Sequence, residues 1–191
     1  MKTLYIIDGS GFIYRSYYAI HSLMNSKRLP TNAVLGFANI FIKTLAEKKP
    51  DYCAIVWDSP EPSFRKEIYS EYKAHRPKMP EDLIVQIPYI KKLVNAFNIY
   101  SIERPSFEAD DIIATMVNKF VDHQINVVIA SSDKDLMSLV SDRVTLWDPM
   151  KDKMMTEIEV LEKFLVRPQQ IHGWLSLTGD ASDNIPGVTG I

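Results

Sequence analysis

Three acidic residues fall within four positions of the stretch SFEADDIIATMV, residues 106 to 117: Glu108, Asp110 and Asp111. Repulsion between like charges at such short range opposes ionisation of all three carboxyl groups. Acids in the first turn of a helix complement the helix dipole, which accounts for one or two of them but not for three. The crowding therefore indicates a site for a cation that offsets the repulsion.

Other acids stand where strands are predicted to end. Asp8, Asp58 and Asp133 each come directly after an apolar, strand-like run. Any one of them alone is typical of a helix cap or a turn. Ligands of open α/β sheets, however, bind beyond the carboxyl ends of the strands, so three acids there favour one shared site. The stretches SSDKDLMSL and GDASDNIPG add further closely spaced acids. The candidate metal ligands are then Asp8, Asp58, Glu108, Asp110, Asp111, Asp133, Asp135, Asp180 and Asp183.

Carboxylate oxygens without nearby cysteine or histidine pairs suit hard cations such as Mg²⁺ or Mn²⁺. The 4 histidines are scattered along the chain and indicate no zinc site. A pocket lined by acids would repel a phosphodiester unless metal ions invert the local charge. Two ions about 4 Å apart can activate water on one side of a phosphate and stabilise the departing oxygen on the other. The acids therefore favour metal-assisted hydrolysis of a phosphodiester.

Cations and aromatic rings interleave in the segment SFRKEIYSEYKAHRPK, residues 63 to 78. A helix over this segment would align along one flank Arg65, Tyr69, Tyr72 or Lys73, and Arg76. Such a flank suits a single strand of nucleic acid, because the cations pair with phosphates and the rings stack on bases without sequence preference. A solvated helix with internal Glu and Lys pairs is the alternative that this segment alone leaves open.

The stretch GSGFIYRSYYAI, just after the first predicted strand, offers a weaker signal. Arg15 is placed to reach a phosphate at the same rim, although a surface arginine without such a role is commoner. The GSG run lacks the third glycine of a dinucleotide fingerprint, and the sequence contains no Gly-Lys-Ser/Thr phosphate loop. We therefore expect no nucleotide cofactor.

These residues need a scaffold that brings distant parts of the chain to one rim. Short apolar runs predict strands over residues 3–8, 52–58, 125–133 and 143–148. Apolar residues at helical spacing predict helices over residues 34–48, 83–97, 107–121, 157–164 and 168–177. This alternation is typical of a doubly wound α/β fold, in which helices flank a parallel sheet. Residues 59–80 break the rhythm and predict a surface excursion with a short helix.

Composition limits the class of protein. The chain has 191 residues, of which 46% are hydrophobic and 24% charged, and this fits one globular domain. With a net charge of -2 the chain lacks a strongly basic character, so any phosphate-binding surface must be local. The single cysteine, Cys53, fits a small buried side chain in a reducing compartment. No apolar run has the length of a membrane span or a signal peptide core, so we expect a cytosolic or organellar protein.

Five stretches occur in a fixed order: IIDGSGFIYRSYYA, VWDSPEPSFRKEIYSEYKAHR, FEADDIIAT, SSDKDLMSLV and LTGDASDNIPGV. Together they resemble the 5′ nuclease (flap endonuclease) family, most closely the 5′-to-3′ exonuclease domain of bacterial DNA polymerase I. The resemblance implies one nuclease domain over residues 1–191, with a PIN-like α/β fold, a mostly parallel central sheet, and a helical arch or clamp over about 59–80. It also implies two-metal hydrolysis of DNA at a 5′ flap or 5′ end, with RNA primers as a further substrate, in a bacterial-type cytoplasm.

The resemblance assigns roles to individual residues. A lysine and an arginine of the family's clamp contact the scissile phosphate; they match Lys73 and Arg76, which together with Asp111 form the implied catalytic set. The first metal ion would be held by Asp8, Asp58, Glu108, Asp110 and Asp111, and the second by Asp133, Asp135, Asp180 and Asp183, some through water. The residue pattern adds Arg15, Arg65 and Tyr69, so the expected substrate-binding residues are Arg15, Arg65, Tyr69, Tyr72, Lys73 and Arg76, with Tyr72 stacking on a base.

One difference from the family concerns the end of the chain. Family members continue beyond GVTGI through a helix-three-turn-helix and further helices that hold duplex DNA, often with K⁺. We expect residues from about 166 to 191 to begin that region and to stop within it, which would leave any K⁺ site in the missing part. Either a stand-alone enzyme or the amino-terminal piece of a polymerase fits the sequence. Two interpretations from other classes stay open: a non-catalytic DNA-binding fragment or scaffold, and a PIN-like ribonuclease.

Overall fold

A six-stranded sheet lies at the centre of the fold. The computed structural model describes residues 1–121 and 123–190. Within them the strands are β1 Thr3–Asp8, β2 Tyr52–Val56, β3 Tyr100–Ile102, β4 Asn126–Ala130, β5 Val144–Asp148 and β6 Lys153–Met155. Their spatial order is β3-β2-β1-β4-β5-β6. The first five strands pair in parallel, and β6 runs antiparallel to β5.

The four strands predicted from apolar runs are confirmed as β1, β2, β4 and β5. The sequence pattern does not predict β3 and β6, which have 3 residues each and are too short to show a period. Both lie at the edges of the sheet. The mostly parallel sheet expected from the alternation of elements is confirmed.

Eight α-helices surround the sheet within the described ranges. They are α1 Gly9–Ala19, α2 Asn32–Lys48, α3 Arg65–Ile68, α4 Glu81–Ile84, α5 Ile87–Ala96, α6 Ala109–Val121, α7 Glu157–Phe164 and α8 Ile171–Thr178. Two 3-10 helices, Asp135–Leu139 and Pro168–Gln170, precede β5 and α8. The helix predicted over 83–97 is divided into α4 and α5, because Pro88 cannot donate a helical hydrogen bond and so belongs in a first turn. None of the described helices has the length and apolar character needed to cross a membrane.

Both faces of the sheet are covered, as a parallel sheet requires. Successive residues of β1 point to opposite sides: Ile7 packs in one apolar cluster with Phe37 of α2, and Ile6 in another with Ile113 of α6. These four side chains are fully buried. The two cores fix the strands relative to the helices. As a result, the carboxyl ends of the adjacent strands β2, β1 and β4 form one rim.

Residues 59–80 leave the sheet as a surface excursion and contain the short helix α3, as the sequence predicts. A longer helix does not form, because Tyr69 is extended with a φ of -142° and Lys73 is left-handed with a φ of 54°. The expected alignment of cations and tyrosines along one helical flank is therefore wrong. The segment instead turns back across the rim, where Lys73 N–H donates to the carbonyl of Asp183 (3.0 Å).

Candidate metal centre

Asp8 ends β1 at the rim and caps α1. Its Oδ1 accepts a hydrogen bond from Gly11 N–H (2.8 Å), and its Oδ2 accepts one from the Ser131 hydroxyl just beyond β4 (2.8 Å). A side chain at Gly11 is excluded, because a Cβ there would lie 2.3 Å from Asp8 Oδ2. Burial raises the pKa of Asp8 to about 6 in spite of both hydrogen bonds. The carboxyl group is thus held in place but is costly to ionise without a nearby cation.

Asp58 connects the end of β2 to the neighbouring helices. Its N–H donates to the Ser10 hydroxyl of α1 (2.8 Å), and its Oδ1 accepts a hydrogen bond from the N–H of Ala109, the first residue of α6 (2.7 Å). The GSG stretch therefore orients acids of the site, a role other than that of a glycine-rich fingerprint that binds a nucleotide phosphate. Its serine and second glycine position the two acids that end β1 and follow β2.

Glu108, Asp110 and Asp111 surround the N-terminal end of α6, as the sequence predicts. Glu108 N–H donates to Asp111 Oδ2 (3.1 Å), which fixes two of the three acids relative to each other. Burial, followed by the negative charge of Asp133 and of the acids at the ends of β1 and β2, raises the pKa of Asp110 to about 8. The crowded carboxylates predicted at the start of α6 are therefore joined by acids that follow the strands of the sheet.

The acids at the ends of β1 and β2 and at the start of α6 are called the first acid group: Asp8, Asp58, Glu108, Asp110 and Asp111. A second acid group consists of Asp135, Asp180 and Asp183, and one carboxylate oxygen of each lies within 4.8 Å of the others. Burial opposes ionisation of Asp180. Its Oδ1, however, accepts hydrogen bonds from Ser182 N–H and from the Lys134 ammonium group, each 2.9 Å long, and these keep the pKa of Asp180 below the ordinary value. Asp135 Oδ1 is buried without a hydrogen-bond partner in the described part of the chain. A carboxylate oxygen in that situation fits a hard cation as its missing partner.

A tight turn presents Asp180 and Asp183. Asp180 and Ile185 exchange two backbone hydrogen bonds of 2.9 and 2.8 Å, which close the turn. A Cβ on Gly187 would lie 2.5 Å from the carbonyl group of Thr178, so a larger residue would force the turn away from α8. The expectation that residues from about 166 begin a helix-three-turn-helix stays a prediction.

Asp133 is close enough to both acid groups to affect the pKa of a carboxyl group in each. Its N–H donates to the Ser131 hydroxyl (3.1 Å), and its Oδ1 accepts a hydrogen bond from Asp135 N–H (3.0 Å). After burial, the charge of Asp133 is the main cause of the raised pKa of both Asp110, in the first group, and Asp135, in the second. The two groups are therefore electrostatically one site.

Two of the arginines predicted to bind substrate are paired with acids. Arg65 donates two hydrogen bonds to Asp111 (2.8 and 2.7 Å), and this pairing lowers the pKa of the Asp111 carboxyl group. Arg15 Nη1 lies 2.9 Å from Asp148 Oδ1, at the end of β5. Both arginines stand beside the acids, and a phosphate would have to compete with these carboxylates for them.

Lys73 contacts both acid groups, and Arg76 contacts the second. We call residues 64–76, which contain them, the basic strap. Lys73 Nζ lies 2.8 Å from Glu108 Oε2 and 3.7 Å from Asp183 Oδ2. Arg76 Nη2 lies 2.7 Å from Asp183 Oδ1, and the Arg76 side chain is 53% exposed. The strap therefore brings positive charge to the place where the two acid groups meet.

Tyr72 lies in a more buried setting than base stacking, the role expected from the sequence, requires. Its ring is 5% exposed, and its hydroxyl lies 2.9 Å from both Glu108 Oε2 and Asp183 Oδ2. The ring is therefore covered in this structure and the hydroxyl is bound to carboxylates, so base stacking by Tyr72 stays a prediction. Tyr69 is 38% exposed and lines a cavity of about 670 Å³ beside the acids, so its ring remains accessible.

Sequence reasoning missed several polar residues that support the acids: Ser10, Ser131, Lys134 and Ser182. Lys134 carried a usable signal, since it stands between two candidate ligands in SSDKD. Its partner Asp180 lies 46 positions further along the chain, and no spacing rule connects them. The serines carried no signal, because their hydroxyl groups bind side chains brought close only by the fold.

The raised pKa values predict how the stability of the protein depends on pH in the absence of metal. The folded pKa values of Asp110 (about 8), Asp8 (about 6) and Asp135 (about 6) exceed the ordinary value of 3.8, so the folded state binds protons more tightly than the unfolded state. Their contribution to stability is complete below about pH 4 and is lost as pH rises through 6 to 8. In EDTA, we expect the melting temperature to fall by roughly 10 °C or more between pH 5 and pH 8, since the three raised pKa values together correspond to several kcal/mol and each kcal/mol to roughly 2–4 °C in a chain of this size.

Differential scanning calorimetry at these two pH values would measure this loss. Addition of Mn²⁺ at pH 8 should restore the melting temperature, because a cation favours the ionised acids. A melting temperature that rises with pH in EDTA would contradict the raised pKa values.

Comparison with known proteins places this arrangement in a family. Residues 3–165 match the family model described as 5′-3′ exonuclease, N-terminal resolvase-like domain. The chain is 45% identical over 191 residues to a 5′-3′ exonuclease of Aquifex aeolicus, and the match covers 100% of this chain and 66% of that relative. It is 41% identical over 194 residues to DNA polymerase I of Caldicellulosiruptor bescii, and that match covers 98% of this chain and 23% of the polymerase. The chain therefore spans just under two thirds of the first relative and about a quarter of the second.

Among solved structures, the fold is similar to that of the bacteriophage T5 flap endonuclease in a pseudo-enzyme-product complex with DNA and metal ions. The TM-score is 0.78 at 23% sequence identity, over 100% of this chain and 71% of that chain. This similarity confirms the 5′-nuclease fold expected from the sequence. The family-model match, which covers residues 3–165 of the 191, shows that the chain belongs to the 5′-3′ exonuclease family.

Proposed function

We propose that this chain is a metal-dependent nuclease, acting as a 5′-to-3′ exonuclease and flap endonuclease on DNA. The observation that carries the proposal is the convergence of acids from five separate stretches on one rim, beneath a strap that supplies Lys73 and Arg76. The names of the two relatives and the DNA and metal ions bound to the T5 enzyme support it.

The proposal includes two divalent cations, Mg²⁺ or Mn²⁺. The first would be held by Asp8, Asp58, Glu108, Asp110 and Asp111, and the second by Asp133, Asp135, Asp180 and Asp183. The unpartnered Asp135 oxygen and the burial of Asp110 among other acids support this donor set, since a cation would supply the missing partner and offset the repulsion. When bound, the two ions would polarise the phosphate and activate the attacking water.

The residues of the strap would bind and orient the substrate. Lys73 would exchange its carboxylate partners for the scissile phosphate and stabilise the negative charge that develops there. Arg76 and Arg65 would pair with neighbouring phosphates, as would Arg15 at the edge of the rim. Tyr69 would stack on an unpaired base, and the cavity of about 670 Å³ beside it has the size of a small-molecule site.

The preferred substrate in this proposal is DNA with a 5′ flap or a 5′ end, with RNA primers as a second substrate. A cytoplasmic location in a bacterial-type cell accompanies it. A basic strap beside a metal-binding rim suits the junction between a single strand and a duplex, because its cations can pair with the phosphates of the single strand next to the acids.

The test compares three end-labelled substrates: a 5′-flap DNA, a blunt duplex DNA and a single-stranded RNA. With Mn²⁺ or Mg²⁺ we expect cutting of the flap near its junction and release of short products from the duplex 5′ end, both abolished by EDTA. Asp111→Ala should lower the rate strongly, whereas Asp142→Ala, which removes an exposed acid away from the rim, should not.

Other outcomes would contradict the proposal. Binding of the flap without any cutting, in the wild type and with either metal, would favour a non-catalytic scaffold. Faster cutting of single-stranded RNA than of both DNAs would favour a PIN-like ribonuclease. Full activity of Asp111→Ala would remove that residue from the proposed catalytic set.

A further inference from the structure

We propose that Tyr72 is a positioning residue that ties the first acid group to the second through Glu108 and Asp183, and so sets the distance between the two cations. The inference rests on the proposed two-cation function of the site. It gives the buried tyrosine a different role from the base stacking expected from the sequence.

The geometry places one hydroxyl between two acids from distant parts of the chain. Tyr72 Oη lies 2.9 Å from Glu108 Oε2, at the start of α6, and 2.9 Å from Asp183 Oδ2, in the turn after α8. Lys73 Nζ lies 2.8 and 3.7 Å from the same two oxygens. Four polar atoms therefore form one compact cluster that spans both acid groups.

Counting protons shows how both acids are satisfied. A tyrosine hydroxyl has one proton and donates to only one of the two carboxylates at a time. The ammonium group of Lys73 has three protons and lies close enough to supply the other carboxylate. The distances fit Tyr72 donating to Asp183 (2.9 Å) while Lys73 donates to Glu108 (2.8 Å), so each carboxylate has its own donor within the cluster.

The backbone of the strap holds this cluster in register with the turn. Lys73 N–H donates to the Asp183 carbonyl (3.0 Å), and the Asn184 side-chain amide donates to the carbonyl of Glu71 (2.8 Å). The left-handed φ of 54° at Lys73 is unusual for a residue other than glycine. It lets two consecutive side chains, those of Tyr72 and Lys73, reach the same oxygen of Glu108.

Hydrogen bonds to ligand carboxylates influence metal binding strongly. They fix the orientation of the ligand, and their removal typically costs about 10–100-fold in metal affinity or activity. Two cations act on the same phosphate only when they are about 4 Å apart. Tyr72 contacts one ligand from each acid group. Loss of its hydroxyl should therefore free Asp183 to move relative to Glu108, which would weaken binding of the second cation.

The test is Tyr72→Phe, which removes the hydroxyl and keeps the buried ring. We expect calorimetric titration of the DNA-free protein with Mn²⁺ to show a second binding event about tenfold weaker or more, with the first largely retained. Tyr17→Phe is the matched control, because its hydroxyl also binds a carboxylate, that of Asp82 (2.8 and 2.9 Å), outside the acid cluster. It should leave both Mn²⁺ events unchanged, and thermal melts would verify that both variants are folded.

A second measurement uses Glu108→Gln as a background. If Tyr72 acts through Glu108, Tyr72→Phe should weaken Mn²⁺ binding much less in that background than in the wild type. An equal loss in both backgrounds would overturn the inference. Unchanged Mn²⁺ affinity in Tyr72→Phe would also overturn it. If only KM for flap DNA rose in that variant, Tyr72 would contact the substrate and not position the metal ligands.

The titration also separates this inference from the proposed function. Weaker Mn²⁺ binding by Tyr72→Phe, in a protein whose wild type cuts none of the three substrates, would support the positioning role and contradict the nuclease proposal. Normal cutting by the wild type with unchanged Mn²⁺ binding in Tyr72→Phe would do the opposite.

Discussion

Asp110→Asn is expected to reduce metal-dependent cutting of a 5′ flap by about a thousandfold. A metal ion contributes several kcal/mol of transition-state stabilisation, and each 1.36 kcal/mol is about tenfold in rate. Asp110 is the acid whose pKa, about 8, is raised most clearly by burial and by neighbouring acids. Its ionised form therefore depends most on a cation, and an amide cannot replace the negative charge. Single-turnover cutting of labelled flap DNA with saturating Mn²⁺ would measure the loss.

The same substitution should stabilise the metal-free protein at high pH. An asparagine never carries the charge whose burial is unfavourable, so Asp110→Asn should melt above the wild type at pH 9 in EDTA and close to it at pH 5. Asp142→Asn serves as the control, because Asp142 is exposed and lies away from the rim. Retained activity, or a lower melting temperature at pH 9, would mean that Asp110 does not belong to the cation site.

Lys73→Ala is expected to lower kcat for flap cutting by about 10²–10³-fold, the range found when one donor to a developing charge is removed. In the structure, the Lys73 ammonium lies 2.8 Å from one acid group and 3.7 Å from the other. A phosphate bound where the two acid groups meet would lie next to it. Because the charge on the phosphate grows during the reaction, the effect should fall mainly on kcat rather than on KM. Steady-state kinetics over a range of flap concentrations would separate the two.

Lys78→Ala is a matched control for Lys73→Ala. It removes the same charge from an exposed position of the same excursion, so it measures the general loss of attraction for DNA. We expect it to raise KM modestly and to leave kcat close to the wild-type value. If Lys73→Ala also changed only KM, Lys73 would contribute to binding and not to the chemical step.

The positions of the acids could be predicted because they follow from local patterns and simple topology. Apolar runs located β1, β2 and β4, and parallel strands place their carboxyl ends at one rim, where Asp8, Asp58 and Asp133 were expected. The three acids at the start of α6 were recognisable from their crowding alone. Neither inference needed any knowledge of how side chains from different elements meet.

The path of the excursion could not be predicted in the same way. Its cations and tyrosines have helical spacing, but a left-handed residue, Lys73, and an extended one, Tyr69, turn the chain instead. These conformations are stabilised by contacts outside the segment, such as the hydrogen bond from Lys73 N–H to Asp183. Helical periodicity describes neighbours three or four residues apart, so it carries no information about such partners.

The sequence by itself therefore determined the fold class, the rim and the acids that line it. Only the tertiary structure decided that Tyr72 is buried between Glu108 and Asp183, and that Lys134 supports Asp180. The physical reason is distance along the chain: these contacts join residues as many as 111 positions apart, and their geometry depends on the packing of every element between them. The strand ends and the crowded helix start depend mainly on residues next to one another.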